Sequence, residues 1–548
     1  MSLGTFDRSA NLARIEAGTY DVLVVGGGIT GAGVALDAAS RGLRTALVER
    51  DDFASGTSSK SSKLVHGGLR YLQNGDIRLV YQALRERQRL LRNAPHLVHV
   101  LPFLIPVFSG RDGIIPKQVA RALGSAMWLY DLTGGLRIGK VHKRLKRDQA
   151  LSHMPTLDER LAWAYLYYDA QTDDARLTLA ILRTAALDHG AVVVNHARVD
   201  GFRKDGDRVT GALVEADGRQ FEVKARVVVN AAGVWADDVR AYDEGTHPQS
   251  IRPAKGIHIT VPWDKVRNDI AAVLPVRKDK RSIFVVPWEG PDGKIGPDGF
   301  TYVGTTDTDY DGPVDDPQCT EDDIAYLLDA LNSALRTPLD RADVLGTWAG
   351  LRPLVREATS GRTADLSRRH RVATSTSGVV TVTGGKLTTY REMAQDTVDA
   401  VVERLRDRSP QPLLRRGRTA NLQLRGADGW EDERDHDAHL AGRYGNEARV
   451  LHAMLDADPG LAGPLVAGLP YRRAEAVYAV RYEMATTLDD VLSRRTRARL
   501  LNRDATAAAA EDVAELVGEE LGWTDDERAR QVATYRQAAD RERQPVAP

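Results

Sequence analysis

Residues 21–49, DVLVVGGGITGAGVALDAASRGLRTALVE, carry the reading that decides the fold. The apolar run at 21–25 breaks into three glycines. A stretch of small and apolar residues follows, and a second apolar run, RTALVE, closes the segment. This is the pattern of strand, glycine turn, helix, strand. Gly26, Gly28 and Gly31 form G-x-G-x-x-G between the first strand and the helix, and Glu49 ends the second strand. The first two glycines permit a tight turn and close backbone approach to a pyrophosphate, and Gly31 permits close helix packing. The helix N-terminus offers unpaired N–H groups to phosphate oxygens, and Glu49 can accept hydrogen bonds from ribose hydroxyls. The fingerprint serves NAD and FAD alike.

The next segment separates the two. GTSSKSSKLVHGGLRY at 56–71 is a run of hydroxyl and glycine residues directly after the ribose-binding strand. Small donors and exposed backbone can follow an extended cofactor down to its ring, although such a run can also be a surface loop. Further along, Thr172, Asp173 and Asp174 supply capping groups before ARLTLAILRTAALDHG. Gly190 stops that helix and AVVVN follows, which gives a second crossover. KARVVVNAAG and VVTVTGG read as further buried strands, the second followed by a helix. HITVPW, SIFVVPW and TYVGTTDT are β-rich runs between turns, the expected antiparallel insertion.

The expected architecture is α/β: a Rossmann-like FAD-binding domain with an inserted antiparallel β-sheet substrate domain and a helical C-terminal domain. The oxidoreductase core is placed at 20–408. Its FAD-binding segments fall at about 20–100, 165–250 and 345–400, and its substrate-domain segments at about 101–164 and 251–344. A Pro- and Gly-containing linker is placed at 409–428 and an alanine-rich helical accessory domain at 429–548.

Composition narrows the function. The 548 residues carry 75 Lys plus Arg against 76 Asp plus Glu, so the formal charge is −1, which argues against wholesale nucleic-acid binding. One cysteine, Cys319, excludes an intrachain disulfide framework and any multi-cysteine zinc or iron–sulfur site, and no metal site is expected. No run of apolar residues is long enough to span a bilayer, and the N-terminus lacks a signal-peptide core, so a cytoplasmic protein is expected.

The strings GGGITGAG, TSSKSSKLVHGGLRYL, DDARL, NAAGVW, KGIHI, GTTD, GLRPL and TGGKLTTYR, in this order, resemble the FAD-dependent glycerol-3-phosphate dehydrogenases, within the D-amino-acid-oxidase-like flavoproteins. The match runs from about Tyr20 to Arg391 and weakens beyond. It implies non-covalent FAD, oxidation of sn-glycerol 3-phosphate to dihydroxyacetone phosphate, and electrons passed to membrane quinone. Ala232 stands where related flavoproteins often have threonine, and Gly385-Lys386 replaces a common Gly-Asp pair. The strings place Gly26, Gly28, Gly31, Glu49, Thr57, Ser58, Ser62, Lys63, Gly233, Gly384, Gly385, Leu387 and Thr388 around the cofactor. His66 could invite a covalent flavin link, which the resemblance argues against.

A phosphate dianion needs cations, and Arg70, Arg352 and Arg368 sit in or beside these strings. Arg70 and Arg352 lie in otherwise small or apolar surroundings. Arg368 has Arg369 and Arg371 as neighbours, so its register can shift. Tyr71 offers a phenol hydrogen bond, or simply a core ring. His258, in KGIHITV, suits removal of the substrate hydroxyl proton, although a structural histidine fits as well; strand alternation puts it with Thr260 on one face. Lys386, the sole lysine after Lys294, can stabilise negative charge near N1 and O2 of reduced flavin, or orient the substrate hydroxyl.

Between Arg111 and Arg147 nine Lys or Arg residues face two acidic ones, with Trp128 and other apolar residues interleaved. This suits a peripheral anionic bilayer surface on the inner face of the cell membrane, or a solvated basic face. The alternatives are a glycerophosphate oxidase using oxygen, a related amino-acid oxidase, a flavin-binding module without turnover, or an NAD dehydrogenase. A homodimer is compatible with all of them.

Overall fold

The computed structural model describes residues 6–68, 77–109, 124, 127–131, 139–276, 281–356, 369–406 and 416–544. Two sheets organise them. The first runs, in spatial order, Arg371–Thr374, Val380–Thr383, Arg219–Asn230, Thr19–Val25, Thr45–Val48 and Val192–Val194. Thr19–Val25 pairs in parallel with Arg219–Asn230 and with Thr45–Val48, as βα crossovers require, and a hairpin of Arg198–Asp205 and Arg208–Ala216 pairs with the first half of Arg219–Asn230. Its central strands are buried on both faces, which is why they read as continuous valine runs.

The helix Ile29–Ser40 is buried along nearly its whole length, and its small residues explain how. A Cβ at Gly33 would lie 2.8 Å from the Tyr390 ring, so glycine lets the helix Tyr390–Arg406 pack directly across it. The second crossover is Asp174–Arg183, capped by Asp173, whose carboxylate accepts from the N–H of Ala175 and Arg176.

The second sheet runs Thr308–Asp309, Ile251–Pro262, Phe300–Gly304, Ser282–Trp288, Ala271–Pro275, Val98–Phe108, Leu161–Thr172 and Leu64–Val65. Its pairings are antiparallel except that of Ala271–Pro275 with Val98–Phe108. Gly346–Val355 pairs with Ile251–Pro262, so this stretch belongs to the second sheet although the sequence boundaries put 345–400 with the nucleotide segments. Strand Leu161–Thr172 likewise carries residues 165–172 into the second sheet. Strand Ile251–Pro262 alternates as expected around His258, with both faces buried there. Ile257, Ile259 and Val261 enter one core, and His258 and Thr260 are buried on the other side.

Helices dominate from Trp430 to Arg543. Of the expected linker, 409–415 lies outside the described residues. The part that follows is no free tether, for Thr419 donates to buried Asp37 at 2.8 Å and Leu424 N–H donates to Asn93 O at 2.7 Å. The 416–424 stretch is therefore hydrogen-bonded against the core. The C-terminal helices are held to the core by buried ion pairs: Arg495 on Asp52 (2.6 Å), Arg176 on Glu483 (2.7 Å), and Arg183 on Glu447. Removing one partner of such a pair costs about 3–5 kcal/mol, because the other charge stays buried.

His439, in the helix Ala438–Tyr444, joins this region to the second sheet. Its Nε2 faces Glu475 at 3.0 Å and its Nδ1 faces Glu289 at 3.5 Å. Burial pushes the imidazole pKa down, but Glu475 and Glu289 outweigh burial and lift it to about 9. A raised pKa stabilises the fold fully below the unfolded value near 6.5 and loses that contribution as pH rises through about 9. His439→Gln should therefore lower the melting temperature most at pH 6, with the deficit shrinking towards pH 9.5. A deficit independent of pH would show that the charge contributes nothing.

Candidate active site

A cleft of about 1040 Å³ runs between the two sheets, and most of the expected site residues line it. At one end the chain turns at Gly26, whose φ is +110° and whose N–H donates to Val48 O at 2.9 Å. A Cβ on Gly26 would sit 2.7 Å from Ala231 O, and one on Gly31 would sit 1.9 Å from Gly26 O. Gly31 is thus a packing residue beneath the turn and does not line the cleft. Ser58 Oγ accepts the N–H of Ile29, the first residue of the helix, at 2.8 Å. This ties the hydroxyl-rich segment to the glycine turn.

Glu49 lines the same end. Its carboxylate accepts from Gly27 N–H at 2.6 Å and from Asp51 N–H at 2.9 Å. Burial raises its pKa, and the two backbone donors oppose the rise. A carboxylate has about four acceptor positions, so two backbone bonds orient the group without exhausting it. Trp235 lies against Gly56, where a Cβ would come within 2.9 Å of the indole, and Arg50 stacks on the same ring at 4.9 Å. Gly233 has φ +61° and no neighbour within 4 Å of a built Cβ, so bare backbone faces open space in the cleft wall.

Thr57 and Ser62 continue along the wall, Thr57 donating to Leu351 O at 2.5 Å. Lys63 departs from expectation. Its backbone is left-handed, with φ +55°, and the fully buried side chain turns away from the cleft to Asp174 at 3.0 Å and Ser59 O at 3.1 Å. Its side chain is a structural cation directed away from the cleft. Burial and Arg497 lower its pKa against the pull of Asp174, leaving it at about 8.

At the other end, Gly384 and Gly385 have φ of +74° and +86° and bring Lys386, Leu387 and Thr388 to the cleft wall just before the helix Tyr390–Arg406. A Cβ on Gly385 would collide with the Met393 side chain at 2.3 Å. Thr388 Oγ accepts from His66 N–H at 3.2 Å, which fixes a half-buried histidine on the wall. Sequence reasoning weighed His66 only as a covalent anchor. The glycines that follow it were the available signal for close approach to a ligand.

His258 also lines the cleft but is only 2% exposed. Its ring stacks on Trp348 with centroids 4.7 Å apart and planes 5° from parallel, and its Nε2 lies 2.9 Å from Ser62 Oγ. Nδ1 is buried with no hydrogen-bond partner among the described residues. Burial, reinforced by Lys63 and Arg352, holds its pKa well below 6.5, so the ring is neutral at physiological pH.

Arg352 lines the wall beside it. The guanidinium bonds Asp307 at 3.1 Å and reaches Thr305 Oγ at 3.2 Å and Thr306 O at 3.1 Å. Gly256 on the paired strand makes room for it, since a Cβ there would lie 2.5 Å from the guanidinium. Neither Gly256 nor Asp307 was singled out from the sequence, because their contribution depends on strand register. Arg70, Tyr71 and Arg368 lie outside the described residues. Away from the cleft, Asp52, His196 and Asp490 cluster within reach of one another, but Arg494 and Arg495 already neutralise the carboxylates. That donor set is an ion-pair network.

The cleft suits FAD on these grounds: a glycine turn closed to any Cβ, a carboxylate oriented by backbone, and bare glycine backbone farther along the wall. Comparison with known proteins agrees. Residues 21–391 match the FAD dependent oxidoreductase family, and residues 417–528 match the C-terminal domain of alpha-glycerophosphate oxidase. Glycerol-3-phosphate dehydrogenase 2 of Mycobacterium tuberculosis is 39% identical over 97% of this chain and 90% of its own. The mitochondrial glycerol-3-phosphate dehydrogenase of Homo sapiens is 38% identical over 96% of this chain and 74% of its own. The crystal structure of a Bacillus halodurans glycerol-3-phosphate dehydrogenase complexed with FAD superposes with a TM-score of 0.77 at 31% identity, covering 100% of this chain and 99% of that one. The chain belongs to the FAD-dependent glycerol-3-phosphate dehydrogenases.

Proposed function

We propose that this chain binds sn-glycerol 3-phosphate at the Arg352 end of the cleft, oxidises it to dihydroxyacetone phosphate, and passes the electrons to a membrane quinone. The observation that carries the substrate assignment is the placement of Arg352, Lys386 and His258 on one cleft wall system, continuous with the nucleotide end. Non-covalent FAD supplies the acceptor for the hydride that leaves C2 of the substrate. Glu49 and the Gly26–Gly28 turn would hold its nucleotide half, and Thr57, Ser58, Ser62, Gly233, Gly384, Gly385, Leu387 and Thr388 would line the rest of its site.

Arg352 holds the phosphate dianion, with Asp307 and Thr305 setting the direction of its fork. Arg70, Tyr71 and Arg368 are assigned to the same phosphate on the family resemblance alone. Lys386 presents a cation to the cleft wall, where it would favour negative charge on a bound flavin or orient the substrate hydroxyl. His258, kept neutral by its surroundings, accepts the hydroxyl proton through Ser62, a cleft-lining residue whose hydroxyl lies 2.9 Å from Nε2. A second reading gives that proton to His66, favoured by its greater exposure on the wall. His66→Asn and His258→Asn separate the two by which one abolishes anaerobic flavin reduction.

For the acceptor, the support is a surface. Among the described residues no helix is long and apolar enough to cross a membrane. Trp128 is 68% exposed and packs edge-on against His142, beside the edge strand Lys143–Lys146. Lys143, Arg144 and Lys146 are exposed on that strand, and Arg144 lies over Trp163 at 4.2 Å. Residues 111–123, 125–126 and 132–138 of the same basic stretch lie outside the described residues. Aromatic and basic groups together fit an anionic bilayer, at about 1 kcal/mol per cation near the surface. On this reading the protein lies peripherally on the cytoplasmic face.

Arg352→Ala should lower kcat/KM for glycerol 3-phosphate roughly 10- to 150-fold, the equivalent of ~1.5–3 kcal/mol for a charge-assisted bond, while FAD content and weak activity on glycerol stay unchanged. Equal losses on both substrates would make Arg352 structural. Lys386→Met should slow flavin reduction at saturating substrate and lower the flavin potential; unchanged values would remove it from the site. Wild-type protein should float with anionic liposomes at low salt and less at high salt, and the variant with Lys143, Arg144, Lys146 and Arg147 changed to Gln should float poorly. Failure of the wild type to float, with rapid turnover on oxygen, would instead support a glycerophosphate oxidase.

A further inference from the structure

The C-terminal helical region reaches the active-site wall at two points, and both concern one hydrogen-bonded pair, Ser62 and His258. The first is Asp174, a fully buried carboxylate at the start of the helix Asp174–Arg183. Its Oδ2 accepts the N–H and the hydroxyl of Ser61, at 3.0 and 2.6 Å, and its Oδ1 accepts Lys63 Nζ at 3.0 Å. Ser62 is thus held between two residues that share one carboxylate. Arg497 closes the arrangement from the C-terminal side, its terminal nitrogen on Asp174 and its Nε on Asp173 at 3.0 Å. The guanidinium is fully enclosed.

The second point lies three residues on. Leu500 O accepts from Thr260 Oγ at 2.6 Å, two residues from His258 on the same strand face. Arg503 N–H donates to Leu345 O at 3.0 Å, just before the strand that carries Trp348 under the His258 ring. One short stretch, 497–503, therefore fixes the loop bearing Ser62 and the strand bearing His258 at once. An imidazole that must meet a hydroxyl at 2.9 Å tolerates little relative movement of the two elements.

We propose that Arg497 is a positioning residue for the oxidation step: acting through Asp174 and Ser61, it holds Ser62 in register with His258, so that the C-terminal region completes the active site of the core. This rests on the reading of His258 as proton acceptor given above. A residue that merely stabilises the fold would change melting temperature and cofactor retention. A positioning residue changes the rate at saturating substrate in the molecules that hold cofactor, and its effect disappears once the group it positions is gone.

The test is a double-mutant cycle on the full-length holoenzyme, with anaerobic flavin reduction by glycerol 3-phosphate measured per bound flavin. Arg497→Met should cut the rate at saturating substrate tenfold or more with KM within about twofold, and Arg497→Lys should recover part of the loss. In a Ser62→Ala background Arg497→Met should cost less than threefold further. Multiplicative effects of the two substitutions, or a normal rate per flavin with only a lowered melting temperature, would overturn the proposal. Should Arg497→Met fail to fold, the cycle is run with Arg497→Lys under the same criterion. His258→Asn serves as the separate control. A normal rate in that variant refutes the proton-acceptor reading, whereas a slow rate with multiplicative Arg497 and Ser62 effects refutes the positioning alone.

Discussion

A single buried carboxylate, Asp174, stands where the two sheets, the cofactor-facing loop and the C-terminal helices meet. It lies two residues past Leu161–Thr172 of the second sheet and opens the helix Asp174–Arg183, which packs against Ile29–Ser40 of the nucleotide unit. An ionised carboxylate out of water costs several kcal/mol unless it is fully paired, and here Lys63, Arg497 and both donors of Ser61 satisfy it. The pairing works in both directions. The charge holds three separate parts of the chain in one place, the 61–63 loop, the start of the helix Asp174–Arg183 and Arg497, and none of them can leave without exposing an unpaired group.

The nucleotide end obeys a different constraint, one of space. Backbone atoms approach so closely at Gly26 and Gly31 that no side chain fits, and the same absence of side chains at Gly233 leaves backbone bare towards the cofactor. The ring end combines both constraints: left-handed glycines at Gly384 and Gly385, and a set of polar side chains whose direction is fixed by partners on neighbouring strands. Arg352 is aimed by Asp307 and Thr305, and His258 by Trp348 and Ser62. Such preorganisation matters for catalysis because little reorganisation is left for the reaction itself.

How much of this was legible in the sequence follows from the range of each interaction. The glycine turn, Glu49 and the helix after Gly385 are encoded within a few residues, and local pattern was enough to find them. The antiparallel insertion was legible from β-rich runs, but its limits were not. Gly346–Val355 reads like any buried strand, and only its pairing with Ile251–Pro262 assigns it to the second sheet. Lys63 misled because its left-handed backbone, unusual for a residue with a Cβ, reverses the side chain away from the cleft. Gly256, Asp307 and Arg497 were missed because their contacts lie 96, 45 and 323 residues away in the chain. No local period records such contacts.

The central claim is that this cleft takes a phosphorylated secondary alcohol and removes a hydride from it. The most direct measurement is anaerobic titration of the purified, flavin-loaded protein, following the flavin's visible absorption. The account predicts stoichiometric bleaching by sn-glycerol 3-phosphate, with no comparable response to glycerol, to the opposite enantiomer or to amino acids. Bleaching by an amino acid, or no bleaching by glycerol 3-phosphate, would contradict it.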